Sequence, residues 1–277
     1  MAPLQLSTPE LQASLELLLD NFRRLGRVLV AFSGGIDSTL ALKVGTMAIG
    51  EDCIGVTAHS ETLSDSEFDL TVRIARQHGF AQHVIEYSEL EIEHYAENPI
   101  NRCYFCKHEL YTRLQDLAKE LDVRAIVDGT NADDVGDFRP GMQAAEELKV
   151  VHVLKDARVG KEQIRTMARE LGLENWDKPA GACLSSRVPY GSLIDKRKLS
   201  QIADGEDFLR GLGFAQCRVR HHDAIARLEV ESSEIPRLTS PEIRPQVEDF
   251  MRSIGFSFVT VDLTGYRTGS LNELVSN

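Results

Sequence analysis

A six-residue segment, Ser33-Gly-Gly-Ile-Asp-Ser38, constrains the fold of this chain more than any other part of the sequence. An apolar run of β type over residues 27–32 precedes the segment, and a helical pattern follows from Thr39. Gly34 and Gly35 accept backbone angles that other residues resist, so their N–H groups can converge on an anion together with those that open the next helix. The segment lacks the Gly-Lys-Ser/Thr sequence of a Walker loop. It therefore predicts a different kind of nucleotide pyrophosphate site, placed between a strand and a helix.

Polar side chains in this segment predict contacts with the phosphate oxygens and with Mg²⁺. Ser33 and Ser38 supply hydroxyl donors for phosphate oxygens, and Asp37 supplies a carboxylate for the Mg²⁺ that accompanies a nucleotide. A second polar segment, Asp128-Gly-Thr-Asn-Ala-Asp-Asp134, contains carboxylates and hydroxyls that can complete the Mg²⁺ site. The alternative is a polar turn that caps the next helix. We favour the functional interpretation and include Gly129 in the nucleotide site.

Helical and strand-like patterns alternate along the first 130 residues. The predicted helices cover residues 9–24, 38–49, 65–78 and 104–121, and the predicted strands cover residues 27–32, 53–59, 84–87 and 124–128. This alternation predicts a doubly wound parallel sheet of the α/β class, in which ligands bind at the carboxyl ends of strands. The sequence Ala58-His59-Ser60 lies at such an end. We expect this segment, with Ser60, to recognise adenine.

The order of predicted helices and strands changes after about residue 190. The remaining chain predicts helices over 197–213 and 240–254 and strands over 217–220, 226–230 and 256–263. This order predicts a smaller C-terminal α+β domain. We therefore divide the chain into a nucleotide-binding domain, residues 1–190, and a small domain, residues 191–277.

Charge and composition exclude several classes of protein. The chain has 31 Lys and Arg against 43 Asp and Glu, and its net charge of −12 argues against a broad nucleic-acid surface. No apolar run has transmembrane length and no secretory signal opens the chain, so we expect a cytoplasmic protein with no membrane partner. The five cysteines are then expected as thiols or metal ligands rather than disulfides. Two of them, Cys53 and Cys217, lie inside predicted strands and are expected to be buried.

The other three cysteines lie in unusual segments. Cys103-Tyr-Phe-Cys106 brings two sulfurs within reach of one metal or cluster, and Lys107 follows directly. Cys183 lies in a segment of small and special residues, 176–191. The Cys-x-x-Cys spacing alone leaves a redox dithiol, a zinc site and an iron–sulfur site open. Three thiolates leave one iron of a 4Fe–4S cluster free to bind an exogenous sulfide.

Arginines in the C-terminal third predict a pocket for a phosphate. Arg218 and Arg220 alternate along one strand and so point to the same face, and Arg267 follows the last strand in a glycine-rich loop. Arg187 can pair with a phosphate or carboxylate through two parallel hydrogen bonds. Solvation or salt bridging of these arginines is the alternative.

Seven segments of this sequence together resemble the LarE family of the PP-loop ATP pyrophosphatase superfamily. They span about 240 residues in the order found in that family. The segments are Ser33–Ser38, Asp128–Asn131, Phe138–Gly141, Lys178–Ala180, Cys183–Gly191, Arg218–Arg227 and Asp262–Ser270. The first is shared with many enzymes, whereas the last three are specific to the family.

The resemblance implies an ATP-dependent sulfur transferase of nickel-pincer nucleotide cofactor synthesis. Such an enzyme cleaves ATP between the α and β phosphates, adenylates the carboxylates of a pyridinium-3,5-dicarboxylate mononucleotide and converts them to thiocarboxylates. By the same resemblance, four arginines hold the phosphate of this substrate. They are Arg187, Arg218, Arg220 and Arg267.

One departure from part of the family concerns the source of sulfur. Members that sacrifice their own cysteine sulfur carry that cysteine one position earlier, where this chain has Ala182, and they lack the Cys-x-x-Cys pair. The chain resembles the branch in which three cysteines hold a 4Fe–4S cluster that carries the sulfur. We therefore expect Cys103, Cys106 and Cys183 to bind this cluster, with Lys107 binding an anion or stabilising the adenylate.

The expected cofactors are ATP, Mg²⁺ and the 4Fe–4S cluster. The expected partners are the mononucleotide, sulfide or a sulfur-donor protein, and further copies of this chain. A tRNA thiolase is the alternative enzyme, although the acidity of the chain and the lack of an RNA-binding appendage count against it. A nucleotide sensor that binds ATP without turnover is an alternative of another class, and the reactive thiols count against it.

Overall fold

The computed structural model of this chain describes residues 5–134, 140–179 and 181–267. Three of the segments that carry the resemblance extend beyond these ranges. Residues 138–139, residue 180 and residues 268–270 of those segments therefore lie outside the described residues.

The chain divides into two compact units. The first comprises residues 1–60, 65–87 and 101–180, and the second comprises residues 61–64, 88–100 and 181–277. The longest segment of the second unit starts at Gly181, and the unit also includes two segments from the N-terminal half of the chain.

The first unit is an α/β fold built on a four-stranded parallel sheet, which confirms the predicted fold class. The strands are β1 (Val28–Ala31), β2 (Cys53–His59), β3 (Ala81–Glu86) and β4 (Ala125–Val127). Their order across the sheet is β3-β2-β1-β4, so the winding reverses at β1. The carboxyl ends of β1 and β4 are therefore neighbours at the topological switch point, where open α/β sheets bind ligands.

Helices cover both faces of this sheet. They are α1 (Pro9–Leu25), α2 (Ile36–Ile49), α3 (Asp65–His78), α4 (Arg102–Glu120), α5 (Pro140–Glu147), α6 (Val153–Asp156) and α7 (Lys161–Glu170). Val28 and Val30 of β1 lie in one apolar cluster with Phe22 of α1, whereas Leu29 lies in another with Leu114 of α4. Successive strand residues face opposite sides, so β1 is apolar at every position because both of its faces are buried.

Local signals in the sequence set the ends of these elements. The Thr8 hydroxyl accepts a hydrogen bond from the Leu11 N–H at 3.2 Å and so caps α1, which ends at Gly26 with a φ of +73°. The start of β3 differs from the prediction, because the strand begins at Ala81 rather than at Val84. This strand lies at the edge of the sheet and is partly exposed, so its first residues lack the apolar pattern of a buried strand.

The second unit contains the small C-terminal sheet. Its strands are β5 (Cys217–His222), β6 (Ile225–Val230) and β7 (Phe258–Val261), of which β5 and β6 are antiparallel and β6 and β7 are parallel. Its helices are α8 (Lys196–Gly211), α9 (Ile235–Leu238) and α10 (Arg244–Ser253). One apolar cluster, which includes Leu209, Val219 and Met251, joins α8 and α10 to the sheet. This arrangement confirms a small C-terminal α+β part.

The burial of Cys53 and Cys217 is also confirmed. Both side chains are fully buried in strands, and burial raises the pKa of each thiol to about 12. All five cysteines of the chain are free thiols. Among the helices that the structure describes, none combines the length and the apolar character needed to cross a membrane.

Candidate active site

The loop between β1 and α2 has the geometry of an anion cradle. Gly34 adopts a φ of +70°, and a Cβ at this position would lie 2.9 Å from the methyl group of Thr71, so both the backbone angle and the space require glycine. Gly35 caps α2 in an extended conformation without a side-chain hydrogen bond. The first N–H groups of a helix have no acceptor within the helix, and the positive end of its dipole lies beside them. These groups are therefore placed to bind phosphate oxygens.

The two serines of this loop differ in their surroundings. The Ser38 side chain is buried, and its hydroxyl donates to the Gly35 carbonyl at 3.0 Å while accepting from the Ser33 N–H at 3.3 Å. Ser33 is exposed, and its hydroxyl lies 3.3 Å from that of Ser38. Ser38 thus shapes the loop from inside, whereas Ser33 is accessible to a ligand.

Asp37, in the first turn of α2, forms an ion pair that the sequence analysis did not predict. The Lys161 ammonium donates to Asp37 Oδ2 at 2.7 Å, and the Lys161 backbone N–H donates to Asp133 at 2.6 Å. Asp37 Oδ1 is buried and accepts no hydrogen bond from the described part of the chain. The predicted Mg²⁺ ligand therefore has one oxygen held by a lysine and one oxygen without a donor. Lys161 itself is partly exposed.

Glycines bring the elements of this site close together. A Cβ on Gly129, just after β4, would lie 2.8 Å from the Ser38 backbone nitrogen. A Cβ on Gly160, just before α7, would lie 2.9 Å from a carboxylate oxygen of Asp133. The predicted nucleotide residue Gly129 is thus packed against the first turn of α2. In the sequence, Gly160 was the one hint of the contacts that Lys161 makes, because a glycine can indicate that two parts of the chain approach closely.

Asp128 lies in a buried network at the same edge of the sheet. Its carboxylate accepts hydrogen bonds from the Tyr111 hydroxyl at 2.8 Å, from His152 Nδ1 at 2.7 Å and from the Thr130 N–H at 3.0 Å. Burial acts to raise the pKa of Asp128, but the His152 hydrogen bond and the charge of Lys107 outweigh burial and lower the pKa to about 2. Both carboxylate oxygens are used within the protein, so Asp128 supports the loop as an internal acceptor.

Lys107 connects this network to the cysteine pair. It lies on α4, its ammonium is 5.2 Å from the centre of the Tyr111 ring, and the interactions with Tyr111 and with the Asp128 carboxylate raise its pKa despite burial. Cys103 and Cys106 lie three residues apart in the first two turns of the same helix, so they share one face. Cys103 is exposed and Cys106 is partly exposed. The two thiols are accessible, with a permanent cation next to them in the sequence.

Ser60 directly follows β2, at the carboxyl edge of the parallel sheet. The ring of its neighbour His59 stacks on Phe68 with a centroid distance of 4.3 Å. This position agrees with a role at the nucleotide edge, and the recognition of adenine stays a prediction.

In the second unit, Arg187 supports the loop that carries Cys183. Its guanidinium is buried and forms two parallel hydrogen bonds with the Glu206 carboxylate, at 2.7 and 2.8 Å. A further nitrogen donates to the carbonyls of Ala182, at 2.6 Å, and Cys183, at 3.0 Å. Burial acts to raise the pKa of Glu206, but the Arg187 charge outweighs burial and lowers the pKa. Arg187 therefore has the contacts of a residue that positions the loop.

The other predicted phosphate ligands also lie in a charged environment in this unit. Arg220 is buried and donates to Glu229 at 2.8 Å and to the Ser186 carbonyl at 2.9 Å. The buried Arg218 guanidinium lies 5.1 Å from the centre of the Tyr266 ring. Arg267 lies 3.6 Å from Asp262. These arginines stay candidates for the substrate phosphate, and each already contacts a protein group.

The three candidate cluster ligands belong to different units. Cys103 and Cys106 lie in the first unit and Cys183, which is partly exposed, lies in the second. Across residues 5–134, 140–179 and 181–267, no group of three or more His, Cys, Asp or Glu side chains has the arrangement of a preformed metal site. The binding of a cluster by these thiols therefore stays a prediction.

Comparisons with known proteins cover almost the whole chain. No protein-family model matches it. An uncharacterized protein of Synechocystis is 39% identical over 266 residues, which are 96% of this chain and 99% of the relative. The pyridinium-3,5-bisthiocarboxylic acid mononucleotide synthase of Lactiplantibacillus plantarum is 37% identical over 260 residues, which are 94% of each chain. This chain belongs to the family of that synthase.

Membership confirms the resemblance to the LarE family that the motifs indicated. A third relative, an uncharacterized protein of Methanocaldococcus jannaschii, is 29% identical over 243 residues, 87% of this chain and 91% of the relative. Matches of this extent include residues of both units. The family similarity therefore applies to the anion cradle and to the arginine-rich second unit together.

Proposed function

We propose that this chain is an ATP-dependent sulfur transferase that acts in the synthesis of a nickel-pincer nucleotide cofactor. It adenylates the carboxylates of pyridinium-3,5-dicarboxylate mononucleotide and converts them to thiocarboxylates. The observation that carries this proposal is the 37% identity to the named synthase over 94% of each chain. The anion cradle at Gly34 and Gly35 supports ATP as the second substrate.

The first step uses the groups at the carboxyl edge of the parallel sheet. A substrate carboxylate oxygen bonds to the α-phosphorus of ATP while the bond to the β-phosphate oxygen breaks, and pyrophosphate leaves. The N–H groups at the start of α2 and the Lys161 ammonium stabilise the negative charge of the leaving group. Asp37 would hold the Mg²⁺ that accompanies ATP, since one of its buried carboxylate oxygens accepts no hydrogen bond from the described residues, and the ion would neutralise phosphate charge. Ser60 contributes to adenine recognition.

The second unit binds the substrate phosphate. Arg218, Arg220 and Arg267 supply positive charge in an otherwise acidic chain, and Arg187 positions their neighbouring loop through Glu206. Binding of the substrate phosphate keeps the reacting carboxylate in place. Positioning of this kind lowers the activation free energy of adenylation, because less translational and rotational entropy is lost in the transition state.

The thiols of Cys103, Cys106 and Cys183 would hold a 4Fe–4S cluster. The donor set fits such a cluster, because all three thiols are at least partly exposed and none is in a disulfide. When bound, the cluster supplies nucleophilic sulfide from an iron that lacks a protein ligand. Sulfide that adds to the acyl carbon would displace AMP, whose phosphate oxygen keeps the electron pair of the broken bond. Exogenous sulfide would replace the transferred sulfur without a change of oxidation state, and a sulfur-donor protein that carries a persulfide would need a thiol reductant as well.

Lys107 provides a fixed positive charge beside two of these thiols. Its contacts with Tyr111 and Asp128 keep it protonated. We assign it to stabilising the negative charge of the adenylate or of the thiolates.

Anaerobic turnover tests this proposal. The protein, reconstituted with iron and sulfide, is incubated with Mg-ATP, sulfide and the dicarboxylate mononucleotide, and AMP, pyrophosphate and thiocarboxylate are measured. We expect AMP and thiocarboxylate in equal amounts, and no AMP without the mononucleotide. Formation of a thionucleoside from tRNA in its place would identify a tRNA thiolase, and ATP binding without AMP formation would identify a sensor.

The cluster has its own test with a spectroscopic readout. Reconstituted protein should show an iron–sulfur absorption band, and Cys103→Ser should lose it. Cys53→Ser is the matched control, because the buried Cys53 is not a candidate ligand. Stoichiometric zinc without iron under the same conditions would contradict the assignment.

A further inference from the structure

Asn175 contacts the phosphate cradle directly, although no motif of the sequence indicates it. It follows α7 in the chain, and its side chain is 5% exposed. Its amide nitrogen lies 3.1 Å from the Gly34 carbonyl oxygen and 2.9 Å from the Thr39 hydroxyl oxygen. All of these residues belong to the first unit. The contact joins parts of the chain that are 141 residues apart.

The hydrogen-bond directions in this cluster follow from its acceptors. The Thr39 hydroxyl donates its one hydrogen to the Gly35 carbonyl at 2.8 Å, so it accepts from Asn175. The Gly34 carbonyl can only accept. The amide nitrogen of Asn175, which carries two hydrogens, is therefore the atom that faces both groups. Asn175 thus fixes the Gly34 carbonyl directly. Through Thr39 it also supports the Gly35 carbonyl, which accepts further hydrogen bonds from the Ser38 hydroxyl at 3.0 Å and the Thr39 N–H at 2.9 Å.

Fixing these carbonyls also fixes the N–H groups that a phosphate needs. In a trans peptide the C=O and the following N–H point in opposite directions. A Gly34 carbonyl held by Asn175 directs the Gly35 N–H away from Asn175, and a held Gly35 carbonyl directs the Ile36 N–H in the same way. The Gly35 N–H has a long contact of 3.4 Å with the Ser33 hydroxyl, which a phosphate oxygen can replace.

We infer that Asn175 is a positioning residue for the nucleotide phosphates: it holds the two glycine carbonyls so that the following N–H groups face the anion. This inference rests on the proposed nucleotide site. A second observation supports it, because Asn175 Oδ1 is buried and accepts no hydrogen bond from any residue that the structure describes. A buried amide with an unsatisfied oxygen costs stability, so packing alone does not account for an asparagine here.

The substitution Asn175→Ala should weaken the binding of Mg-ATP about tenfold, which corresponds to about 1.4 kcal/mol. The loop can still form, but its N–H groups must then be ordered when the nucleotide binds. The KM for ATP should rise accordingly, and the KM for the mononucleotide should stay within about twofold of the wild-type value. A residue with only a structural role would lower the melting temperature without separating the two KM values.

Two substitutions at Thr39 test the relay without touching Asn175. Thr39→Val keeps the volume but removes the hydroxyl, and it should weaken Mg-ATP binding in the same direction as Asn175→Ala. Thr39→Ser keeps the hydroxyl and should restore binding. The loss of affinity in the double variant should be smaller than the sum of the losses in Asn175→Ala and Thr39→Val, because both remove the hydrogen bond between Asn175 and Thr39.

A matched control comes from Gln115 in the same unit. Its amide donates to the Leu148 carbonyl at 3.0 Å, at the junction of α4 and α5. Gln115→Ala also removes an amide-to-carbonyl hydrogen bond, and it should leave the affinity for Mg-ATP unchanged.

Calorimetric titration of Mg-ATP into the whole chain distinguishes a failure of the proposed nucleotide site from a failure of the positioning role of Asn175. No binding by the wild-type protein would overturn the proposed nucleotide site itself. Binding by the wild-type protein with equal affinity in Asn175→Ala would overturn only the positioning role. If Asn175→Ala does not fold, the Thr39 pair decides, and equal affinities of Thr39→Val and Thr39→Ser would overturn the inference.

Discussion

The packing of Gly129 against α2 predicts a sharp effect of a single methyl group. A Cβ at this position would lie 2.8 Å from the Ser38 nitrogen and 3.2 Å from Asp37 Cβ. Ordinary contacts begin at 3.4 Å, so Gly129→Ala must move the end of β4 and the start of α2 apart by about 0.6 Å. The nearest atom belongs to the backbone, which cannot rotate away as a flexible side chain can.

Overpacking of this kind costs about 2 kcal/mol, which corresponds to a fall in melting temperature of about 5 °C for a unit of this size. The displaced atoms include the first turn of α2, so the affinity for Mg-ATP should fall as well, by about tenfold. Scanning calorimetry measures the first effect, and titration calorimetry measures the second.

Gly211→Ala is the matched control for this experiment. A Cβ on Gly211 would meet no atom within 4 Å, and the residue lies at the end of α8, where alanine favours the helix. This variant should be as stable as the wild-type protein or slightly more stable. A Gly129→Ala protein with unchanged melting temperature and unchanged Mg-ATP affinity would refute the argument from close packing.

Three further predictions concern single side chains. The folded-state pKa of Asp128, about 2, lies below its ordinary value of 3.8, so its ionised form stabilises the fold by roughly 2 kcal/mol above pH 4, and this stability is lost as the pH falls toward 2. Asp128→Asn should remove that part of the acid sensitivity in urea unfolding at a series of pH values. Lys161→Ala should weaken Mg-ATP about tenfold in titration calorimetry, whereas Lys161→Arg should stay within about threefold of wild type. Arg220→Ala should weaken the mononucleotide about tenfold and leave Mg-ATP unchanged.

Each of these predictions has an outcome that contradicts it. An Asp128→Asn protein with the wild-type pH dependence would mean that Asp128 is not stabilised as an anion. Equal affinities of the Lys161→Ala and Lys161→Arg proteins for Mg-ATP would exclude a phosphate contact. Equal losses of mononucleotide and ATP binding in Arg220→Ala would show that the phosphate pocket is misassigned.

Elements with strong local signals were predictable from the sequence. The apolar run at 28–30 and the glycine at 34 identified both strand β1 and the loop after it, because burial on both faces and a positive φ each restrict the residue type. Gly35 has a φ of −73°, which does not require glycine. The helices α5, α6 and α7 were not predicted. They follow the second polar segment, and α6 has only four residues, too few to show a helical period.

The residues that the prediction missed act over long distances in the chain. Lys161 contacts Asp37 across 124 residues, and Asn175 contacts Gly34 across 141 residues. The glycine before Lys161 gave a local hint of its close contact, whereas nothing near Asn175, which lies beyond the end of α7, distinguishes it from an ordinary polar residue of a loop. Arg187 differs from Lys161 and Asn175, because the sequence around it did predict a role. Its local segment indicated a phosphate ligand, but the buried Glu206 on α8 takes two of its nitrogens, and no local pattern reveals that pairing.

The central claim is that this chain transfers sulfur to an adenylated carboxylate without consuming its own cysteines. The most direct test is the intact mass of the polypeptide, measured beside AMP and thiocarboxylate after several anaerobic turnovers of the reconstituted protein. We predict an unchanged mass, with one AMP released for each thiocarboxylate formed and more than one turnover per chain. A loss of the mass of one H₂S per chain, with product limited to one equivalent, would contradict the account.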